Sequence, residues 1–146
     1  MATVRDVLAR KGNAVVSIAT DRSVLEAARL MNEQGIGGLV VVEEEELVGV
    51  FTERDVLRRV VAERRDPEQT KVRDVMTTNV ITCSPGTSLE ECRAVMTGKR
   101  VRHLPVTGPD GLVGIVTIGD LLAFEVAEGR DTITQLQHYV FDTRPV

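Results

Sequence analysis

Two stretches of this 146-residue chain, 15–61 and 80–126, superimpose without a gap at a constant offset of 65, Val15 falling on Val80 and Val61 on Val126. About a dozen positions are identical, which marks an internal repeat. Ser23 falls on Ser88, Glu26 on Glu91, Met31 on Met96, Leu39 on Leu104 and Val41 on Val106. Leu47-Val48-Gly49 meets Leu112-Val113-Gly114, Thr52 meets Thr117, and Asp55 meets Asp120. A shorter echo, Val4-Arg5-Asp6-Val7-Leu8 and Val72-Arg73-Asp74-Val75-Met76, precedes each copy at an offset of 68. One unit used twice permits few folds. Whatever the chain does must be something a tandem pair can do.

Each copy carries the same succession of local signals. Ala14 to Ile18 predicts a short strand and Thr20-Asp21-Arg22-Ser23 a helix cap. Val24, Ala27, Ala28, Leu30 and Met31 then follow at helical spacing, and Gly35 stops the helix. Gly38 to Val42 is β-branched without polar alternation, as expected of a strand buried on both faces. The turn Glu43 to Glu46 leads into Leu47 to Phe51; mutual repulsion should leave its tip solvated and of low local stability. The second copy has the stronger turn Gly108-Pro109-Asp110-Gly111. Closing helices run from Glu53 to about Arg65 and from Ile118 to about Glu128.

The expected class is α/β (α+β), with the first two strands of each copy parallel across a right-handed crossover. A three-stranded sheet with helices on one face leaves its other face apolar. Two pseudo-symmetric β-α-β-β-α repeats packed sheet to sheet would bury both. The boundaries are 1–66 for the first repeat with its lead-in, 67–71 for a polar linker and 72–130 for the second repeat. The tail, 131–146, has Ile133, Leu136 and Val140 at the spacing of a short C-terminal helix.

Composition removes several functions. With 42% hydrophobic and 27% charged residues the chain is ordinary for a soluble globular protein. No apolar run approaches the ~20 residues of a membrane span, and the N-terminus lacks a signal peptide's apolar core, so a cytoplasmic location is expected. A formal charge of −4, one Tyr, three Phe and no Trp argue against nucleic acid as partner. Cys83 and Cys92 read as small buried hydrophobes. His103 and His138 have no ligand-spaced neighbours for a metal.

The repeated signature is Leu-Val-Gly-x-x-Thr-x-x-Asp, closing at Asp55 and at Asp120. At a strand-to-helix junction Thr followed three residues later by Asp matches a capping box, worth about 1 kcal/mol. The same helix entrance offers unpaired N–H groups and a partial positive charge to a phosphate, and a carboxylate there can accept both hydroxyls of a ribose. Cap and site are compatible. Lys99, Arg100, Arg102 and His103 form a basic cluster in an acidic chain. Strand alternation would put Arg100 and Arg102 on one face and His103 opposite. Arg54, Arg58 and Arg59 offer a second clamp.

The doubled unit, with Gly-x-x-Thr-x-x-Asp in register with Val-Arg-Asp-Val-Met and Arg-His-Leu-Pro-Val, resembles a tandem pair of CBS domains, the Bateman module, over residues 4–128. Gln135-Leu136-Gln137-His138-Tyr139 resembles the tail of small stand-alone members. The resemblance implies a regulatory module that binds AMP, ADP, ATP, NADH or S-adenosylmethionine between the copies, AMP first among them, and regulates a separate partner. It implies no catalytic activity and no cofactor beyond that ligand, and it implies a homodimer through helices such as Val24 to Met31 and Leu89 to Met96. Thr52, Asp55, Thr117 and Asp120 would serve the ribose. The backbone at Ile18-Ala19 and Thr82-Cys83 would reach the adenine. Gly37, Gly38, Arg54, Arg102, His103, Leu104 and Pro105 would hold phosphate or wall the pocket. Gly37-Gly38 stands where the second copy has Arg102-His103, so one strong and one weak site are expected, with the second copy holding phosphate. The alternative is a ligand-independent interaction scaffold in which Thr and Asp are caps only.

Overall fold

Each lead-in segment folds as a helix and enters the core of the opposite copy. The structure, a computed structural model, describes residues 1–129; the expected C-terminal helix lies outside them. Helix α1 (Val4–Lys11) starts at Thr3, whose N–H donates to Asp6 at 2.9 Å. Val4 and Val7 are buried against Leu89, Cys92, Leu104, Val106 and Phe124 of the second copy. Helix α4 (Val72–Val75) places Val72 and Val75 against Val24, Leu39, Val41 and Phe51 of the first.

The same three backbone bonds secure both exchanges. Val4 donates to the Thr87 carbonyl, Arg5 to Pro85 and Leu89 to Ala2. At the equivalent positions Val72 donates to Arg22, Arg73 to Thr20 and Val24 to Thr70. Glycine makes room for each segment: a Cβ at Gly49 would lie 2.7 Å from Met76 Sδ, and one at Gly114 would lie 3.0 Å from Leu8 Cδ2. The glycine of the repeated Leu-Val-Gly therefore serves the exchanged lead-ins.

In the first copy β1 (Ser17–Ala19) runs parallel to β2 (Gly38–Glu43), which pairs antiparallel with β3 (Glu46–Thr52). Between β1 and β2, α2 (Val24–Gln34) begins at the Ser23–Glu26 capping box and stops at Gly35, whose φ of 65° needs a left-handed residue. Leu39, Val41 and Phe51 bury one sheet face under α2. Val40 and Val50 alternate to the other face and are buried too, where β3 meets β5 of the second copy. The sheets thus pack on each other as expected.

The second copy comprises α5 (Leu89–Lys99), β4 (His103–Gly108), β5 (Gly111–Thr117) and α6 (Ile118–Ala127). Its sheet has two strands rather than the expected three. The reason is one residue. Val40 donates its N–H to the Val16 carbonyl at 3.3 Å, whereas Pro105, its equivalent, has no N–H to give. Cys83 keeps a single parallel bridge to Val106.

The first closing helix also departs from expectation. After α3 (Glu53–Asp55) the chain widens into a π-helix over Val56–Val61, with Ala62 N–H donating to the Leu57 carbonyl at 3.0 Å. Helical structure ends there, short of Arg65. In the acidic hairpin Glu44 and Glu45 both have positive φ, 51° and 68°. Asn-Gly is the favoured pair for such a turn, and a non-glycine residue there costs roughly 1–2 kcal/mol. Among the described residues no helix is long and apolar enough to cross a membrane.

Candidate functional site

Strands β3 and β5 each deliver a threonine to the start of a helix. Thr52 and Thr117 have extended N-cap backbones, and their hydroxyls accept from the N–H of Asp55 at 3.4 Å and of Asp120 at 3.1 Å. The carboxylates answer by accepting from the threonine N–H groups at 3.0 and 2.9 Å. Both capping boxes are formed.

The rest of each carboxylate's surroundings differs. Asp55 is only 6% exposed. The Thr77 hydroxyl, just beyond α4, donates to its two oxygens at 3.1 and 3.3 Å, and Arg59 Nε lies 3.7 Å from Oδ1. Asp120 instead meets Lys11, whose ammonium lies 2.6 Å from Oδ2 and donates to the Ile115 carbonyl at 2.8 Å. The copy-one carboxylate has a hydroxyl and a longer contact to Arg59 of its own helix, and the copy-two carboxylate has a close ammonium from the lead-in helix.

Beside Asp55 opens a cavity of about 570 Å³. Copy one contributes Gly37, Thr52, Glu53, Arg54, Asp55 and Arg58; the segment after α4 contributes Thr77 and Asn79 to Ile81. Copy two contributes Arg100, Val101, Arg102 and His103. The basic residues of copy two thus face the carboxylate of copy one. Strand alternation does not separate them, because β4 begins only at His103. Arg100 instead closes α5 in a left-handed conformation, φ 56°, where copy one has Gly35. Strain of this kind is concentrated at working sites.

The cross-copy contacts are specific. Arg54 donates to the Arg100 carbonyl at 2.9 Å, joining the two walls. Within each copy, Glu53 N–H donates to Gly37 and Ile118 N–H to Arg102, the same bond made twice. The His103 ring packs on Gly38, where a Cβ would come 3.1 Å from Nε2. These two residues are repeat equivalents, so the ring of one copy fills the space that glycine leaves in the other. Gly37 lies under the Glu53 carboxylate in the same manner.

Of the other expected site residues, Ile18, Leu104 and Pro105 are buried in the sheets, Ala19 and Thr82 are exposed, and Cys83 lies at the edge of the second core. None of them lines this cavity, and neither do Gly38, Thr117 and Asp120. The chain reaches the wall earlier, at Asn79, Val80 and Ile81. Arg59 lies between Asp55 and the Met76 carbonyl, to which it donates at 2.8 Å, and does not line the cavity, so Arg54 and Arg58 remain as the clamp. Sequence reasoning missed Glu53, Thr77, Asn79, Val80 and Ile81. Thr77 and Asn79 follow the lead-in echo, which was the one available signal for them.

Burial sets the protonation of two groups. It pushes the Cys83 thiol up to about 12, with the neighbouring Cys92 acting in the same direction, so Cys83 is held as the thiol rather than the thiolate at neutral pH. Burial also lowers the pKa of His103, against the opposing pull of Glu53 and Asp120 and with help from Arg102 and Lys11. The folded protein therefore holds a neutral imidazole that the unfolded chain protonates below about pH 6.5. The unfolded state then binds the extra proton, so this contribution to stability is complete above that pH and is lost as pH falls. Urea denaturation at pH 7.5 and 5.5 should show a fall in stability that His103→Gln reduces; an unchanged fall would contradict the burial argument.

A family model described as CBS domain matches residues 3–62 and 72–127. The CBS domain-containing protein YhcV of Bacillus subtilis is 33% identical over 140 residues, covering 94% of this chain and 97% of its own. A solved putative signal-transduction protein with CBS domains from Burkholderia ambifaria superimposes with a TM-score of 0.85 at 38% identity, over 90% of this chain and 99% of that one. The CBS domain pair of protein MJ0100, solved in complex with 5′-methylthioadenosine and S-adenosyl-L-methionine, gives a TM-score of 0.75 at 25% identity, over 88% and 98%.

Proposed function

The chain belongs to the CBS-domain family as a tandem pair of such domains, and from that premise we propose that it is a regulatory module taking a phosphate-bearing adenine nucleotide into the cavity beside Asp55. One observation carries the reading. The cavity unites a carboxylate at a helix entrance with four arginines, Arg54, Arg58, Arg100 and Arg102, drawn from both copies. Its volume lies within the roughly 300–1,000 Å³ usual for small-molecule sites.

Each part has a task. The Asp55 carboxylate accepts the ribose hydroxyls, which take over from the Thr77 hydroxyl. Guanidinium groups suit phosphate because they donate in a planar fork. Four of them against Glu53 and Asp55 favour AMP, ADP, ATP or NADH over the cationic sulfonium of S-adenosylmethionine, which MJ0100 accepts. A neutral His103 donates one hydrogen bond and adds no charge. With walls from both copies, occupancy holds the copies in one relative arrangement, and that arrangement is what a separate partner would read.

Thermal denaturation with each nucleotide and with S-adenosylmethionine tests the proposal. A ligand at 100 times its Kd adds about 2.7 kcal/mol, a shift of roughly 5–10 °C for a chain of this size. No shift at millimolar concentration with any of them would leave the scaffold reading standing. That second reading has its own support: Leu57, Val61, Ile118 and Leu122 are exposed apolar side chains on the closing helices. They replace α2 and α5, which bury their apolar faces, as the proposed homodimer surface.

A further inference from the structure

We propose that Lys11 is an intramolecular latch that closes the second of the two pseudo-equivalent clefts, so that the chain holds one nucleotide and not two. The proposal rests on the nucleotide reading above and concerns the cleft that reading leaves unused. The repeat creates a second helix entrance, Thr117 to Asp120, with the capping geometry of the first. In the first, the lead-in partner of the carboxylate is the Thr77 hydroxyl, which a ligand hydroxyl can replace like for like. In the second it is an ammonium 2.6 Å from Asp120 Oδ2. Lys11 maps onto Asn79, a wall residue of the open cavity, at the lead-in offset of 68.

Three features keep the latch shut. The Lys11 ammonium is held twice, by the carboxylate and by the Ile115 carbonyl at 2.8 Å. Its side chain is 28% exposed and that of Asp120 23%, so the pair is partly withdrawn from water. Its helix is anchored by Val4 and Val7 in the core of the second copy, and by Leu8 against Gly114. A ribose that takes both Asp120 oxygens must displace the ammonium from Oδ2, an exchange of a charged partner for a neutral one. The opposite wall also lacks attraction: Gly35, Gly37 and Gly38 stand where the open cavity has Arg100, Arg102 and His103.

Equilibrium dialysis with radiolabelled ATP up to millimolar concentration decides this. The wild-type chain should saturate at one ATP per chain. Lys11→Met, which keeps the apolar stem, should bind a second and weaker ATP, and Lys11→Gln provides the same test should Lys11→Met fold poorly. Asp120→Ala added to either variant should return the count to one. Two ATP per wild-type chain, or one in both folded Lys11 variants, overturns the latch and leaves the nucleotide reading intact. No ATP bound by any of the proteins sinks both.

Discussion

Asp55→Ala is expected to weaken nucleotide binding by about a hundredfold or more. Two ribose hydroxyls on one carboxylate make two charge-assisted hydrogen bonds, each worth about 1.5–3 kcal/mol, and the helix entrance keeps none of that attraction once the side chain is gone. The same substitution destabilises the free protein. It removes one arm of the capping box and strands the Thr52 N–H and the Thr77 hydroxyl around an almost fully buried position. Asp55→Asn separates the two effects, because one amide oxygen retains much of the capping while the charge is lost. Asp120→Ala should leave affinity at the open cavity unchanged, since Asp120 does not line it. Titration of folded Asp55→Asn and Asp120→Ala side by side checks the assignment; equal losses in both would contradict it.

Gly49→Val should cost about 3 kcal/mol of stability and impair binding together. The new Cβ would lie 2.7 Å from Met76 Sδ and 2.9 Å from the Thr77 carbonyl. Forcing extra atoms into a packed junction costs about 1–3 kcal/mol. Here it also strains the bridge in which Val50 and Thr77 exchange backbone hydrogen bonds at 3.0 and 2.9 Å. Thr77 is the residue that holds Asp55, so displacing it moves the ligand carboxylate as well. At this chain size the loss corresponds to a melting decrease of roughly 6–12 °C. Gly86→Ala, where a Cβ would meet nothing within 4 Å, should be neutral by both measures. A Gly49→Val protein as stable as wild type would mean that the lead-in exchange bears no load.

The chain disclosed some of this architecture and hid the rest for identifiable reasons. Elements defined by local periodicity and by caps were legible: the cap at Thr20 to Ser23, the Gly35 stop, both hairpins and both Thr-x-x-Asp entrances. What depends on contacts between distant segments was not. Nothing local in Val4 to Leu8 says that this helix joins the second core, or that Leu8 lies over Gly114. The missing third strand of the second copy could have been foreseen, because Pro105 was visible where Val40 donates an N–H. The site was half legible. Thr52, Asp55, Arg54, Arg102 and His103 are legible as site residues of one cleft between the copies, but nothing local says which copy's carboxylate the basic residues of the second copy face. The structure sets Arg102 and His103 of copy two around the cavity beside Asp55 of copy one, and lays the His103 ring on Gly38, its own repeat equivalent. Lys11 was invisible as a site residue because its partner, Asp120, lies in the other repeat.

The most direct measurement of the central claim is a crystal structure of the chain with ATP. The account predicts one ATP per chain, its ribose hydroxyls within hydrogen-bond distance of the Asp55 carboxylate, its phosphates among Arg54, Arg58, Arg100 and Arg102, and the Lys11–Asp120 pair still closed. A nucleotide seated at Asp120 with the Asp55 cavity left empty would contradict it.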